Sequence, residues 1–487
     1  MLTMGKSFFL LFFAEFLFYV SGYVIHMGAG RILGVEDYGR YSLIITLTIL
    51  IANLIGAGLP IAMSKFISGF RSEKRDGFIF FVKKKIALWQ GVFMIVLGGI
   101  FFLLSPVFAR VLGDDSLTFF FRLASGIIPL YGADLYYFYY YSGLKRFDIQ
   151  AWLKCIRALL RVTVILALAF WFHLGGIITG YLLVPLLIFF IAWFIDVRYL
   201  KEFTQKKDLS VVKDSQFSFS KTVSLASHAI VFLVLFEILV SFDMYILKYI
   251  LGDDVLVGEY SASLTLARIP TFLFYALTIL LLPTISEMSS VKDVKRSKEI
   301  IALVLKSMLI VTVPFLVIFS VYAESILTLL FGISFIGAKE FVPLFCLSMG
   351  LLTVLYVLAF AFIGAGRASI PVSLISLALI LNIIFSFIFI ERFGVIGALW
   401  VKIFISLGIV CGVLVAVWKV FGVLILLKDF VPIFVLGSIF YGIALFFGDS
   451  FWMLCTVGLF LSIAYLGILF SLGIISAKDK KIFQLQT

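Results

Sequence analysis

Runs of about 20 predominantly apolar residues, each long enough to cross a hydrocarbon layer as one helix, recur fourteen times in this chain. They fall at residues 8–28, 41–63, 86–108, 117–141, 155–174, 176–195, 222–249, 258–283, 300–322, 341–363, 370–390, 394–418, 429–447 and 451–474. Composition agrees: 63% of the 487 residues are hydrophobic and 14% charged, and the mean hydropathy is +1.19. No water-soluble domain of this size keeps such a balance in solution, so the sequence specifies an all-α polytopic membrane protein. The first run, Phe8 to Met27, is a full span without a small-residue cleavage site and reads as a helix rather than a removable signal.

The formal net charge of +12 does not point to nucleic acid here, because in a membrane chain Lys and Arg mark the loops left in the cytoplasm. Lys65, Arg71, Lys74, Arg75 and Lys83 to Lys85 follow span two, and Lys145 and Arg146 follow span four. Arg198, Lys201, Lys206, Lys207 and Lys213 follow span six, and Lys292, Lys295, Arg296 and Lys298 follow span eight. The opposite loops are short and acidic. Both termini of this multi-pass cell-membrane protein are therefore expected in the cytoplasm. The cysteines, Cys155, Cys346, Cys411 and Cys455, show no C-x-x-C spacing and indicate neither a disulfide frame nor a zinc site.

The chain also repeats itself. RILGVEDYGRYS at Arg31 to Ser42 returns as YILGDDVLVGEYS at Tyr249 to Ser261, offset by 218 residues before one insertion and 219 after it. In each copy an apolar run ends at Leu-Gly, a short acidic link follows, and the next run begins at Tyr-Ser. Gly supplies the left-handed residue that closes one helix, and carboxylates suit the positive start of the next. The same pattern stands at Leu112-Gly113-Asp114-Asp115, and Gly143-Leu144-Lys145-Arg146 is echoed 221 residues on by Gly364-Ala365-Gly366-Arg367. Glycines precede spans six and twelve, at Gly175-Gly176 and Gly394. Residues 1–195 are thus expected to form an N-terminal six-helix bundle, 196–221 a cytoplasmic linker, 222–418 a parallel C-terminal repeat of the bundle, and 419–487 two additional helices with a tail.

GRILGVEDYGRYSL followed by GLPIAMSKFIS, then FDMYILKYILGDDVLVGEYSASLTLARIP followed by LLPTISEM, resemble the polysaccharide-export (Wzx-like) oligosaccharide flippases. That family belongs to the multidrug/oligosaccharidyl-lipid/polysaccharide exporter superfamily, with the lipid II flippase and multidrug-and-toxin extruders as relatives. The resemblance implies two six-helix bundles in a V around a central cavity that opens alternately to each side. It implies a transporter rather than an enzyme, carrying a polyprenyl-(pyro)phosphate-linked oligosaccharide to the outer leaflet. The partners implied are that lipid-linked oligosaccharide and membrane lipids, with glycan-assembly proteins as further candidates. No cofactor is implied beyond Na+ or H+ as a coupling ion.

Charges inside the spans are the candidate site. Lys154, Arg157 and Arg161 in span five lie at i, i+3 and i+7, one stripe of one helix. An intramembrane Arg costs roughly 2.5–3.5 kcal/mol on insertion scales and rarely faces lipid, whereas a basic ladder on a cavity wall would accept a diphosphate through bidentate Arg contacts. The bland alternative is that Lys154 and Arg157 snorkel to headgroups. Arg268, beside Pro270 in span eight, is a midplane substrate candidate, or else a structural ion pair with Glu237 or Glu15. Arg122 in span four lies closer to the outer face.

Asp243 in span seven, with Asn382 and Ser386 in span eleven, could form an oxygen cage for sodium, or Asp243 could carry a proton. The resemblance supports Asp243. Lys402 in span twelve opposes the sodium reading, since its ammonium could occupy the ion's place. The tyrosines of span four, Tyr131, Tyr136, Tyr137 and Tyr139 to Tyr141, read as an interfacial belt rather than a glycan path. The pairs Glu36-Asp37, Asp114-Asp115 and Asp253-Asp254 read as helix-start carboxylates, not metal ligands. Two rivals stand beside the flippase. A cation-coupled multidrug extruder of the same superfamily would need an acidic cavity, whereas the deep charges here include Arg157, Arg161 and Arg268. A membrane-embedded glycan polymerase or glycosyltransferase generally needs a sizeable outer loop, whereas every outer loop here is short.

Overall fold

The computed structural model describes residues 4–56, 58–72, 77–199, 219–291, 293–423 and 427–474. The described residues contain helices and turns and no strand. Most of the expected 196–221 linker and the C-terminal tail lie outside them.

The first helix, α1 (Met4–Gly56), holds spans one and two and reverses at Gly34, whose φ of 75° is left-handed. The reversal sets His26 on one arm against Tyr38 on the other, with Nδ1 and the hydroxyl 3.0 Å apart. Next come α2 (Gly58–Ser72), α3 (Gly77–Val111), α4 (Leu117–Ser125) and α5 (Ile127–Gly143), the last two being span four divided at Gly126. Spans five and six form α6 (Phe147–Tyr199), reversed at His173. Its arms run side by side, since a Cβ on Gly180 would meet the Ile165 backbone at 2.7 Å.

The second half opens with α7 (Phe219–Leu251). Span eight is α8 (Asp254–Ala267) and α9 (Ile269–Ser290), divided at Arg268. Then follow α10 (Val294–Val321), α11 (Ala323–Leu330), a 3₁₀ segment (Ile333–Glu340) and α12 (Phe341–Gly364). Spans eleven and twelve are the hairpin α13 (Ser369–Phe421), reversed at Gly394. A further span is α14 (Leu427–Phe447), and the last runs from Phe451 to Ser471 through a π turn at Leu454–Gly458. Nine uninterrupted stretches among the described residues are long and apolar enough to cross a membrane. Three of them hold two spans each, and with divided spans four and eight they account for the fourteen.

The expected Leu-Gly turns are left-handed at all three places, with φ of 75° at Gly34, 70° at Gly113 and 69° at Gly252. The span-six turn differs from expectation. It lies at His173 (φ 48°) rather than at Gly175-Gly176, while Gly176 lets the Leu168 carbonyl approach more closely than any Cβ would permit. His173 stands 221 residues before Gly394, and Lys145 (φ 57°) stands the same distance before Gly366 (φ 72°). The second half thus uses glycine where the first holds a side chain in the same unfavourable conformation.

By their contacts the residues form two units, one of Met1–Ser241 with Gly252–Gly258, the other of Phe242–Leu251 with Glu259–Thr487. The division falls late in α7, not in the 196–221 segment, and the final two spans belong with the second unit. Asp449 ties them there by accepting hydrogen bonds from the backbone N–H of Glu324 (2.9 Å) and Ser325 (3.2 Å) at the start of α11. In the first unit Tyr136, Tyr137, Tyr140 and Tyr141 are buried with Met63, Ile67, Ile79 and Ile86. They form a core rather than the expected interfacial belt. Tyr141 donates to the Ala192 carbonyl (2.6 Å) and Tyr136 to the Lys83 carbonyl (3.0 Å).

Relieving the left-handed side chain should stabilise the protein. His173→Gly is expected to gain about 1 kcal/mol and Gly394→Ala to lose a similar amount, read as opposite shifts of the thermal unfolding midpoint in detergent.

Candidate functional site

In the first unit the basic stripe of α6 faces the first arm of α1, where one side chain receives all of it. The Phe18 ring centre lies 5.3 Å from Lys154 Nζ, 5.0 Å from the Arg157 guanidinium and 4.5 Å from that of Arg161. An aromatic face attracts cations most strongly where water is scarce. Lys154 is further paired with Glu15, and Arg157 with buried Asp134. Neither therefore simply snorkels.

Arg161 is different. It makes no ion pair among the described residues, and its Nη1 lies 3.5 Å from the Phe18 carbonyl oxygen. It lies beside Tyr181, whose hydroxyl is 2.8 Å from that of Tyr41. Gly22 lies alongside it, where a Cβ would stand in ordinary contact, 3.7 Å from Arg161 Nη2. Three cations against two carboxylates leave this cluster with one positive charge in excess, carried by a planar group with donors to spare. Such a group suits phosphate oxygens. Arg122 is not part of it, being exposed with its guanidinium 5.2 Å from the Phe102 ring centre. Asp134 has a signal in the sequence, a carboxylate inside an apolar run. Phe18 has none among 56 phenylalanines.

A second constellation in the same unit gathers the acidic links. Arg40 Nε lies 3.0 Å from Asp254 Oδ2 and 3.5 Å from Asp114 Oδ2; Nη2 lies 3.0 Å from Glu36 and Nη1 3.2 Å from Asp37. The expected helix-start role holds at Asp253, whose Oδ1 accepts from the N–H of Val255 (2.8 Å) and Leu256 (3.2 Å). It holds too at Asp114, whose Oδ1 accepts from the N–H of Ser116 (2.9 Å) just before α4, and at Asp254 in the first turn of α8. Glu36, Asp37, Asp114 and Asp254 also converge on one guanidinium. Repeat-equivalent glycines make the approach possible: a Cβ on Gly39 would stand 2.9 Å from Gly258 N, and one on Gly258 would overlap the Val35 carbonyl. No group of three or more metal-ligating side chains occurs among the described residues.

The second unit contains the expected charges of spans seven and twelve. Asp243, fully buried, accepts from the Tyr260 hydroxyl at 2.5 Å and from Lys402 Nζ at 2.7 Å. Lys402 is 2% exposed and lies 5.1 Å from the Phe345 ring centre. Its ammonium takes the position that a cation at Asp243 would need, so this donor set does not fit sodium while Lys402 is charged. Asn382 and Ser386 are buried one turn apart on the first arm of α13, with Oδ1 and Oγ making no hydrogen bond. Arg268 sits at the α8–α9 break. Glu237 is exposed on α7. Removing one partner of a buried pair strands the other charge. Asp243→Asn or Lys402→Met alone should lower stability by about 3–5 kcal/mol, and the double variant by much less, measured by unfolding of the four proteins of the cycle.

A family model described as "Polysaccharide biosynthesis protein" matches residues 4–289. A search of curated proteins finds no match. Among solved structures, the lipid II flippase MurJ in an inward closed conformation superposes with a TM-score of 0.73 and 15% identity, over 96% of this chain and 100% of that one. An inward-facing multidrug resistance MATE family transporter of the MOP superfamily gives 0.66 and 12%, over 82% and 92%. The Vibrio cholerae MATE transporter VcmN in its bent form gives 0.55 and 14%, over 85% and 97%. At these identities the structures share a fold, while the family match spans more than half of the chain. The chain belongs to the polysaccharide biosynthesis protein family, with the all-helical fold of the MOP superfamily of flippases and exporters.

Proposed function

We propose that this protein is a flippase that moves a polyprenyl-phosphate- or diphosphate-linked oligosaccharide from the cytoplasmic to the outer leaflet by alternating access. One observation carries the reading: a guanidinium inside a membrane span, Arg161, that no carboxylate among the described residues neutralises. Leaving such a charge in place costs free energy, and a phosphate group passing through the membrane supplies the missing partner. Membership of a polysaccharide family agrees with a glycan as the rest of the cargo.

The chemistry needed is binding and release, without covalent steps. Arg161 would hold phosphate oxygens in its fork, Tyr181 and Tyr41 would offer hydroxyls beside it, and Arg157 could exchange Asp134 for the same anion. The basic loop residues favour a cytoplasmic side for both termini. An anionic headgroup leaving a negative-inside cell is then assisted by roughly 2.3 kcal/mol per charge per 100 mV. The return of the empty carrier is the step that a cation would drive. Because Lys402 already sits on Asp243, a proton taken up by this pair suits the role better than sodium. The positive sign of the α6 cluster argues against export of organic cations.

The test is transport by purified protein in proteoliposomes. Arg161→Gln with Arg268→Gln should abolish translocation of a polyprenyl-diphosphate sugar while leaving the unfolding midpoint within the range of the wild type; undiminished transport by that variant removes the site.

A further inference from the structure

A recess of about 580 Å³ opens in the first unit between α3, α5 and the end of α6. It is separate from the Arg161 cluster, and its two ends differ in chemistry. At one end stand Lys83, Lys84 and Asp196; deeper along α3 the wall becomes Gly91 and Ile95, with Pro129 facing them. The flank carries large apolar side chains with nothing covering them, Trp89 at 61% exposed, Ile95 at 65% and Trp193 at 48%. Such side chains in a spanning helix face acyl chains.

The charges at the mouth do not cancel. Lys83 is paired with Asp196, which is 2% exposed. Lys84 is exposed and makes no ion pair among the described residues. One ammonium is therefore left over where the recess meets the headgroup region. The deep end is open space at Gly91, where an added Cβ would meet nothing within 4 Å. The volume is that of a site for a sizeable organic ligand. A lone phosphate would leave the apolar length empty, whereas a lipid fills both ends.

We infer that this recess binds one anionic phospholipid of the leaflet on the Lys83–Lys85 side, its phosphate at Lys84 and Lys83 and an acyl chain along Gly91 and Ile95. Basic pockets between spanning helices hold anionic headgroups in this way. The occupant lies on the flank of the first unit, away from Arg161, so it is a resident or regulatory lipid and not the cargo. The inference stands whatever cargo the Arg161 cluster carries.

The experiment uses the full-length protein, delipidated in detergent and titrated with phosphatidylglycerol, phosphatidylcholine or inorganic phosphate. Native mass spectrometry counts bound lipid, and the unfolding midpoint reports stabilisation. The expected result is one phosphatidylglycerol retained in preference to phosphatidylcholine, with a raised midpoint. Lys84→Gln should weaken it about fivefold, the worth of one surface cation. Gly91→Phe, which fills open space and leaves every charge in place, should eliminate it. Three results would each overturn the inference: equal phosphatidylglycerol retention by wild type and Gly91→Phe, equal retention of phosphatidylcholine, or a full midpoint shift from inorganic phosphate alone. The lipid-free midpoints of both variants, expected to match the wild type, separate lost binding from lost folding.

Discussion

A charge in hydrocarbon must find a partner, and that constraint organises the interior of this protein. Lys154 meets Glu15, Arg157 meets Asp134, Lys83 meets Asp196 and Lys402 meets Asp243. Each pairing joins side chains from different helices or hairpins, so each also fixes how those elements stand against one another. Against that background Arg161 stands out: it has the same helix, stripe and aromatic neighbour as Lys154 and Arg157, but no carboxylate partner among the described residues. That difference among the described residues is the ground on which the proposed anion site rests.

The duplicated Leu-Gly links serve a second purpose besides turning the chain. The glycines reverse direction at Gly34, Gly113 and Gly252, and the carboxylates that follow are drawn together on Arg40. Arg40 belongs to the first copy of the motif and Asp254 to the second, 214 residues away. Gly39 and Gly258 occupy equivalent places in the two copies and give the clearance that the crossing needs. Within the first unit, residues 252–258 of the second copy therefore pack directly on the first copy.

How much of this was legible in the sequence follows from the range of each interaction. Spans are written locally in uninterrupted apolar length, and all fourteen are found as helix, although Gly126 and Arg268 divide two of them. Turns are legible where glycine marks them and hidden where His173 and Lys145 hold the same left-handed backbone without one. The stripe on α6 could be read from spacing, and a pairing of Lys402 with Asp243 from opposite charges inside spans seven and twelve. The partners that decide what each charge does could not be read. Asp134, Phe18 and Arg40 acquire their roles only through contacts distant in sequence, and the tyrosines of α5 look alike whether they face an interface or a core.

The central claim is that Arg161 receives the phosphate of a lipid-linked glycan. The most direct measurement is the affinity of purified protein for a polyprenyl-diphosphate sugar and for the same lipid-linked sugar lacking its phosphates, in the wild type and in Arg161→Gln. The account predicts that the wild type prefers the phosphorylated lipid by at least about tenfold, on the scale of a charge-assisted hydrogen bond, and that Arg161→Gln loses the preference. Equal affinity of the wild type for both lipids, or an unchanged preference in Arg161→Gln, would contradict it.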